Sequence, residues 1–421
     1  MTTPSPAAVG CGCHEFTGLS RRGLLRSGLV AGGLATTFGS TVVTVAPTYA
    51  AASADSSPWT IVVLSLRGAA DGMSLVVPHG DPVYYQARPR IAVPSDRLLA
   101  KDAMFGLHPA LAPLVPLWES GRLAAVHATG LPVANRSHFS AMEQLEDATP
   151  GSTTRSGWLN RLLGGTGAAS PLEGVAVGTL PTAMYGAQPV VGLSTVDDVT
   201  VAGAESLSPS DPRIASLRRA WRNDGSAMAA GMGSALDTVR AFQPVRDTED
   251  TSASYPDTDL GGALCAVART IRGNVGTTVF TVDHGDWDMH TYVGQPESGW
   301  MRDNAKAMAE AVAAFFTDLG ALGDRVTLVT ISEFGRRTVE NAQQGLDHGW
   351  GNVMLLAGAG VKGGRYHGTW PGLTTSGDAD LTVTTDYRSV LAEVVTARTG
   401  VSTATVFPGF TPEPVGVMAA T

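Results

Sequence analysis

The sequence predicts an α/β sandwich with a mostly parallel sheet, and two observations carry that expectation. Short runs rich in Val, Ile, Leu and Thr recur along the chain: Thr60–Leu66 (TIVVLSL), Leu123–Ala128 (LAAVHA), Thr277–Val282 (TTVFTV), Arg325–Ile331 (RVTLVTI) and Asn352–Ala357 (NVMLLA). Nearly apolar throughout, they suit strands buried on both faces of a parallel sheet, where no polar alternation is required. Helical patterns at Leu260–Arg272, Trp300–Leu319 and Tyr387–Ala397 separate several of them, and no solenoid period is visible.

The first fifty of the 421 residues do not read as part of that fold. Ser20-Arg21-Arg22-Gly23-Leu24-Leu25-Arg26 resembles the twin-arginine export signal, an apolar Gly/Ala-rich run follows from Ser27 to about Val45, and small residues near Tyr49-Ala50 offer a cleavage site. The run is interrupted by glycines and polar residues and falls short of the roughly 20 strongly apolar residues of a membrane span. The expectation is therefore a leader over 1–50, export through the twin-arginine translocase to the extracellular, periplasmic or cell-wall space, and no stable membrane span after cleavage. One α/β domain then occupies 51–421. Because this route carries folded proteins, a metal can be loaded beforehand.

Beyond the leader only Cys265 remains, so an intramolecular disulfide is excluded and stability rests on the core. The net charge of −9 becomes more negative once Arg21, Arg22 and Arg26 are removed against Glu15. An acidic chain with no Lys/Arg run is not built for nucleic acid.

In chain order, Thr60–Leu66 runs into Arg67-Gly68-Ala69-Ala70-Asp71-Gly72, which turns the chain and sets Asp71 over the strand end. Tyr84–Pro94 reads as an irregular excursion, and His108–Gly121 as a helix broken by Pro113 and Pro116. His127 near the end of Leu123–Ala128 reads as a hydrogen-bonded core residue. Ser137 is placed to cap a helix running through Glu146, and a hydroxyl there sits in the positive potential of the helix N-terminus. Ser156–Leu163 suits a short amphipathic helix, and Gly174–Gly178 and Pro189–Leu193 are β-rich. The segment around 180–260 carries no catalytic spacing and is the expected cap or insertion over the site.

The chemistry gathers at strand ends. Asp283–His290 (DHGDWDMH) follows one strand, Ile331–Gly351 (ISEFGRRTVENAQQGLDHGWG) follows another, and Asp71 follows a third. Asp71, Asp288, His290, Glu333, Asp347 and His348 are carboxylates and imidazoles of the kind that bind Zn, Mn, Fe or Ca, as one ion or two. Two ions clamp an oxyanion and favour phosphoryl or sulfuryl ester hydrolysis. Ser137 is then the candidate nucleophile, with Arg336 or Arg136 neutralising the transferring group. The sequence lacks G-x-S-x-G, a P-loop and the dinucleotide fingerprint.

Leu66–Gly72 (LRGAADG), Ser137–Phe139 (SHF), Trp287–His290 (WDMH), Ser332–Arg336 (SEFGR), Asp347–Gly349 (DHG) and Val361–Gly364 (VKGG) together resemble the exported family labelled domain of unknown function 1501. That family is similar to the alkaline phosphatase and sulfatase superfamily. The resemblance implies a three-layer α/β/α sandwich, alkaline phosphatase-like, with the site at the carboxyl ends of the strands. It implies metal roles for Asp71, Asp288, His290 and His348, a weaker one for His138, and a nucleophile near Ser137. Superfamily phosphatases carry Asp-His where this chain has Ser332-Glu333, so Glu333 is the ligand expected there. The function implied is an exported metal-dependent hydrolase of small anionic phosphate or sulfate esters. The other reading is a non-catalytic exported protein whose degenerate site binds a metal or anion for recognition or assembly.

Overall fold

The computed structural model describes residues 34–38, 41–45, 58–152, 155–168, 170–222 and 224–419. In chain order the strands are β1 (Leu34–Phe38), β2 (Thr41–Val45), β3 (Thr60–Leu66), β4 (Val76–Val77), β5 (Gly106–Leu107), β6 (Leu123–Gly130) and β7 (Gly174–Val177). They continue as β8 (Val191–Leu193), β9 (Val279–His284), β10 (Val326–Ile331), β11 (Asn352–Gly358), β12 (Arg365–His367) and β13 (Thr385–Asp386). All but the β4/β5 pair join one sheet of order β1-β2-β8-β7-β9-β3-β10-β11-β6-β12, with β13 also on β6.

From β8 through β7, β9 and β3 to β10 every pairing is parallel, with Ile61 opposite Val279 on one side and Thr327 on the other. Next to β10, β11 runs antiparallel, and β6 runs antiparallel to β11, so β6 points the same way as β3. This reversal matters for the site. The loop that leaves β10 and enters β11 begins and ends at the same edge of the sheet, where β3, β6 and β9 also finish.

Every residue of β3 is buried, and its side chains alternate between layers as a pleat requires. Val62, Leu64 and Leu66 pack with Leu264, Val267, Phe315 and Phe280 under the helices Asp259–Gly273 and Trp300–Leu319. Ile61 and Val63 face the other way, among Trp158, Leu162, Tyr387 and Leu391 of the helices Trp158–Thr166 and Tyr387–Thr399. This is the three-layer α/β/α arrangement, and it explains why the strands read as unbroken apolar runs.

Several expected boundaries hold to the residue, including Trp300–Leu319 and Thr60–Leu66. Others moved. The strand expected at Thr277–Val282 begins at Val279 and runs to His284, so Asp283 pairs with Ser65 inside the sheet instead of lying in the following loop. The Tyr84–Pro94 excursion overlaps a short helix, Pro82–Ala87, started by Asp81, whose carboxylate accepts from Val83 N. The 180–260 segment forms the helices Pro212–Trp221 and Ala227–Ala241 and sends Ile214, Leu236, Val239 and Phe242 into the core beside Ile271. It thickens that helical layer.

Of the expected leader, Ser20–Arg26 and the Tyr49-Ala50 region lie outside the described residues. β1 and β2 fall within the leader and extend the sheet, β2 pairing antiparallel with β8. No described helix is long and apolar enough to cross a membrane.

His127 was expected to be hydrogen-bonded, and among the described residues it has no partner. It is buried on β6, stacked on Phe105 at 4.0 Å between ring centres, and both ring nitrogens are buried among groups that offer them no hydrogen bond within the described residues. Burial pushes its pKa down to about 3, so it stays neutral in the fold. The unfolded chain then binds one more proton than the folded chain below about pH 6.5, and that stability is lost as pH falls toward 3. His127→Phe should remove this term. Urea unfolding at pH 7 and pH 5 should show the parent losing up to about 2 kcal/mol more than the variant; equal losses would refute a neutral buried His127.

Candidate metal centre

Four segments converge at the shared edge. The turn after β3 takes Gly68 to φ +105° and Ala69 to +59°, and this aims two consecutive backbone N–H groups at one point. A Cβ on Gly68 would lie 2.6 Å from Asp288 N, so only glycine lets the β3 turn pass beneath the loop after β9. That loop is anchored by Trp287, which is fully buried and donates its N–H to Arg67 O at 3.2 Å. Trp287 thereby fixes Asp288, and His290 follows two residues later. From β10 come Ser332, Glu333 and Arg336. His348 returns on the way into β11, held by a bridge to Arg336 and by Gly349, whose Cβ would meet the Arg336 backbone at 2.4 Å. His138 arrives from β6 in the first turn of the helix His138–Asp147.

The result is a ring of imidazoles. His348 Nε2 lies 3.0 Å from His138 Nε2 and 2.9 Å from His290 Nε2. Asp288 presents Oδ1 at 3.1 Å from His290 Nε2 and 3.4 Å from His348 Nε2, and Oδ2 at 3.7 Å from His138 Nε2. Each histidine turns its other nitrogen to an oxygen: His138 Nδ1 to Glu333 Oε1 at 3.2 Å, His290 Nδ1 to Asp347 Oδ1 at 3.1 Å, and His348 Nδ1 to the Arg136 carbonyl at 2.9 Å. A carbonyl and two ionised carboxylates can only accept, so each Nδ1 carries the proton. Three Nε2 lone pairs and a carboxylate then face one another and need extra protons or a cation between them. Nδ1–H donated outward with Nε2 turned inward is the arrangement of histidines around a metal ion.

The same contacts set the charge balance. Burial opposes charge on His138, but hydrogen bonds to Asp288 and Glu333 outweigh it and raise its pKa to about 9. The Asp288 hydrogen bond leads in raising His290. Asp288 itself is held far below the usual carboxylate range; burial works against this, but His138, His290, His348 and Arg336 prevail. Protons on His138 and His290 thus balance the carboxylate, and an ion would take their place.

The expected site residues divide into two groups. His138, Asp288, His290 and His348 come together. Glu333 stands behind His138 and not inside the ring: its oxygens accept from Gly68 N at 2.8 Å, Ala69 N at 2.9 Å and Ser332 Oγ at 3.2 Å as well as from His138. Asp71 does not join them, because Arg88 grips both its oxygens at 2.5 and 3.0 Å in a fully buried pair. Arg336 is buried too, and its guanidinium donates to the carbonyls of Gly68, Ala69, Leu346 and Trp287 and to Asp288 Oδ1 at 2.7 Å. Fully engaged, it clamps the loops and is unavailable to a transferring group. Ser137 is exposed directly before His138, and its hydroxyl makes no capping bond, contrary to expectation.

Sequence reasoning missed Arg88 and Asn341. Asn341 donates to Asp347 Oδ1 and to the His290 carbonyl. Nothing in its spacing marks it. Arg88 closes a helix whose Asp81-Pro82 start was a readable signal. Among the described residues, the hydrogen bonds of the ring residues run to the segments around 136, 288, 333–336 and 347 and not to the expected cap around 180–260.

Two substitutions test this geometry. Glu333→Gln removes the charge that holds the His138 proton outward and should weaken Zn²⁺ binding about 10- to 100-fold with the fold retained; affinity within about twofold of the parent in a competition titration would reject the assignment. Arg88→Met strands the Asp71 carboxylate in the core and should cost about 3–5 kcal/mol in urea unfolding. A loss under about 1 kcal/mol would mean the pair is not load-carrying.

Among curated proteins none matches this chain. Among solved structures, the C-terminal periplasmic domain of EcEptC from Escherichia coli, in complex with Zn, is similar at a TM-score of 0.26 and 12% identity, over 73% of this chain and 75% of that one. The model of the family described as protein of unknown function (DUF1501) matches residues 109–411, a span that holds all four ring residues, and the chain belongs to that family.

Proposed function

We propose that the protein is an exported metal-dependent hydrolase of phosphate or sulfate esters, with one divalent ion among His138, Asp288, His290 and His348. The observation that carries this reading is the convergence of His138, Asp288 and His348, whose ligating atoms lie within 4.8 Å of one another, with His290 Nε2 alongside at 2.9 Å from His348 Nε2 and 3.1 Å from Asp288 Oδ1, each Nδ1 being held by an acceptor. Three nitrogens and an oxygen suit Zn²⁺, with Mn²⁺ or Fe²⁺ next. Ca²⁺, which takes six to eight oxygens, is poorly served. A count of one is supported by the neighbouring carboxylates: Arg88 holds Asp71, Gly68 and Ala69 hold Glu333, and His290 and Asn341 share one oxygen of Asp347.

The four ligands carry one negative charge and leave a divalent ion electrophilic where the histidines face it, while Glu333 and Asp347 behind two of them and Arg336 behind Asp288 bring the wider centre close to neutral; an anionic ester is proposed to bind by ligating the ion directly. When bound, the ion supplies Lewis-acid stabilisation of charge developing on a phosphoryl or sulfuryl oxygen. Ser137 is the proposed nucleophile: exposed, at the N-terminus of a ten-residue helix, and one residue from a ligand. Arg136 beside it carries an exposed guanidinium paired with Asp380. Arg336 keeps Asp288 in place. The Ser20–Arg26 motif supports twin-arginine export of a protein folded and loaded beforehand.

A second reading has its own support. Asp71 and Glu333, the carboxylates that would build a second metal site, are both withdrawn into internal bonds, which favours a protein that binds a metal or an anion without turnover. Asp288→Ala and His348→Ala should each abolish metal retention and ester hydrolysis. Unchanged turnover in either would remove the hydrolase, and a metal-loaded parent that hydrolyses nothing across a phosphate and sulfate ester panel would install the binding reading instead.

A further inference from the structure

We infer that Arg136 and Arg337 form a second anion subsite beside this centre, closed by Asp380, and that the ligand it takes carries a carboxylate a few bonds from its phosphate or sulfate head; the inference rests on the hydrolase reading above. Hydrogen bonds tie both arginines to the ring. The carbonyl of Arg136 accepts from His348 Nδ1 at 2.9 Å. Arg337 N donates to the Asp347 carbonyl at 2.9 Å, and the Asp347 side chain in turn holds His290 Nδ1. The two guanidiniums then meet on one carboxylate: Asp380 Oδ2 accepts from Arg136 Nη2, and Asp380 Oδ1 lies 3.8 Å from Arg337 Nε.

Asp380 fits this place incompletely. A separation of 3.8 Å is too long for a hydrogen bond. Asp380 Oδ1 and Arg337 Nη1 are both buried, and neither makes a hydrogen bond among the described residues. The other carboxylate near Arg337 Nη1, Asp378 at 3.2 Å, belongs to a side chain 96% exposed, where water screens the pair. A buried donor and a buried acceptor left without hydrogen bonds are costly, and such groups in a folded protein call for a partner. Arg336 and Arg88 differ in this respect, since carbonyls and carboxylates take their donors.

The backbone prevents Asp380 from closing the gap by itself. Arg337 and Asp380 pair in an antiparallel bridge, and Thr338 N donates to the Ala379 carbonyl at 2.9 Å. Arg136 is the member free to move: its side chain is 41% exposed, and its charge is answered by Asp380 alone among the ion pairs of the described residues. A carboxylate on a ligand whose head group lies on the ion accepts from Arg337 and draws Arg136 off Asp380. A planar guanidinium suits that exchange, because it meets any carboxylate with the same fork of donors.

The test uses the full chain loaded with Zn²⁺ and two phosphonates that do not turn over, propylphosphonate and 3-phosphonopropionate, which differ in a terminal methyl against a carboxylate. Calorimetric titration should show the carboxylate compound binding about tenfold tighter, at a metal content that is the same before and after. Arg136→Gln should bring that preference below about threefold. Asp380→Asn, which keeps the shape and removes the charge, should widen it by about threefold or more; if that variant fails to fold, the Arg136→Gln comparison decides. A parent without preference whose Asp380→Asn variant acquires one also supports the closed subsite. A preference unchanged by Arg136→Gln overturns the inference, because the carboxylate then sits on the ion, and so does one unchanged by Asp380→Asn. Equal affinity for the two phosphonates in parent and variants overturns it too and leaves the hydrolase reading standing. Binding of neither overturns both.

Discussion

The site depends on what the Glu333 carboxylate holds. It lies at the end of β10, accepts two consecutive N–H groups from the turn after β3, and takes the Nδ1 proton of a histidine delivered from β6. Three strand ends are thereby locked through one buried anion. An ionised carboxylate is tolerated there because its bonds come from a concave pair of backbone amides and from an imidazole that shares the charge. The same contacts hold its pKa below the ordinary value, although burial alone would raise it. Without Glu333 the β3 turn would lose its anion and His138 its orientation, and the ring would lack one side.

Arg336 does the complementary work from the opposite charge. Its donors bind carbonyls on the β3 turn, the loop after β9 and the loop leading to His348, and one donor reaches Asp288. Loop backbone buried at a sheet edge leaves carbonyls that the ladder cannot satisfy, and a fixed guanidinium satisfies several of them at once. The antiparallel entry of β11 lets one loop contribute both Glu333 and Arg336 at its start and His348 at its end. A parallel return would have carried His348 to the far edge.

How much of this could be read from the sequence follows from the range of each interaction. Strands buried on both faces write themselves as apolar runs, so the layers and most strand limits were legible. Asp288, His290 and His348 stood out because they gather in short polar stretches after such runs. Distinguishing a ligand from its supporter was beyond the sequence: Glu333 and Asp288 both follow a strand, and only three-dimensional neighbours decide which faces the ring. His138 was underrated because it begins a helix and no acidic partner lies near it in the chain. The 180–260 segment was expected over the site on the ground that it lacked chemistry, yet its apolar positions belong to the helical layer beside Ile271.

Asp71 and Asp288 show how a fold assigns unlike roles to like residues. Both follow neighbouring parallel strands, β3 and β9, and both meet an arginine. Arg88 meets Asp71 with two donors, one on each oxygen, and the rest of its guanidinium is taken by Ser74 Oγ and the carbonyls of Arg337 and Thr338. The pair is closed and fully buried, so its charges cancel within the core and project nothing outward. Arg336 meets Asp288 through one oxygen only, and Oδ2 is left toward His138. Half-neutralised and about one quarter exposed, Asp288 keeps a field that the three imidazoles must answer. The difference lies in the number of donors offered and not in the carboxylate, which is why the second aspartate can serve a cation while the first has been given one permanently by the chain itself.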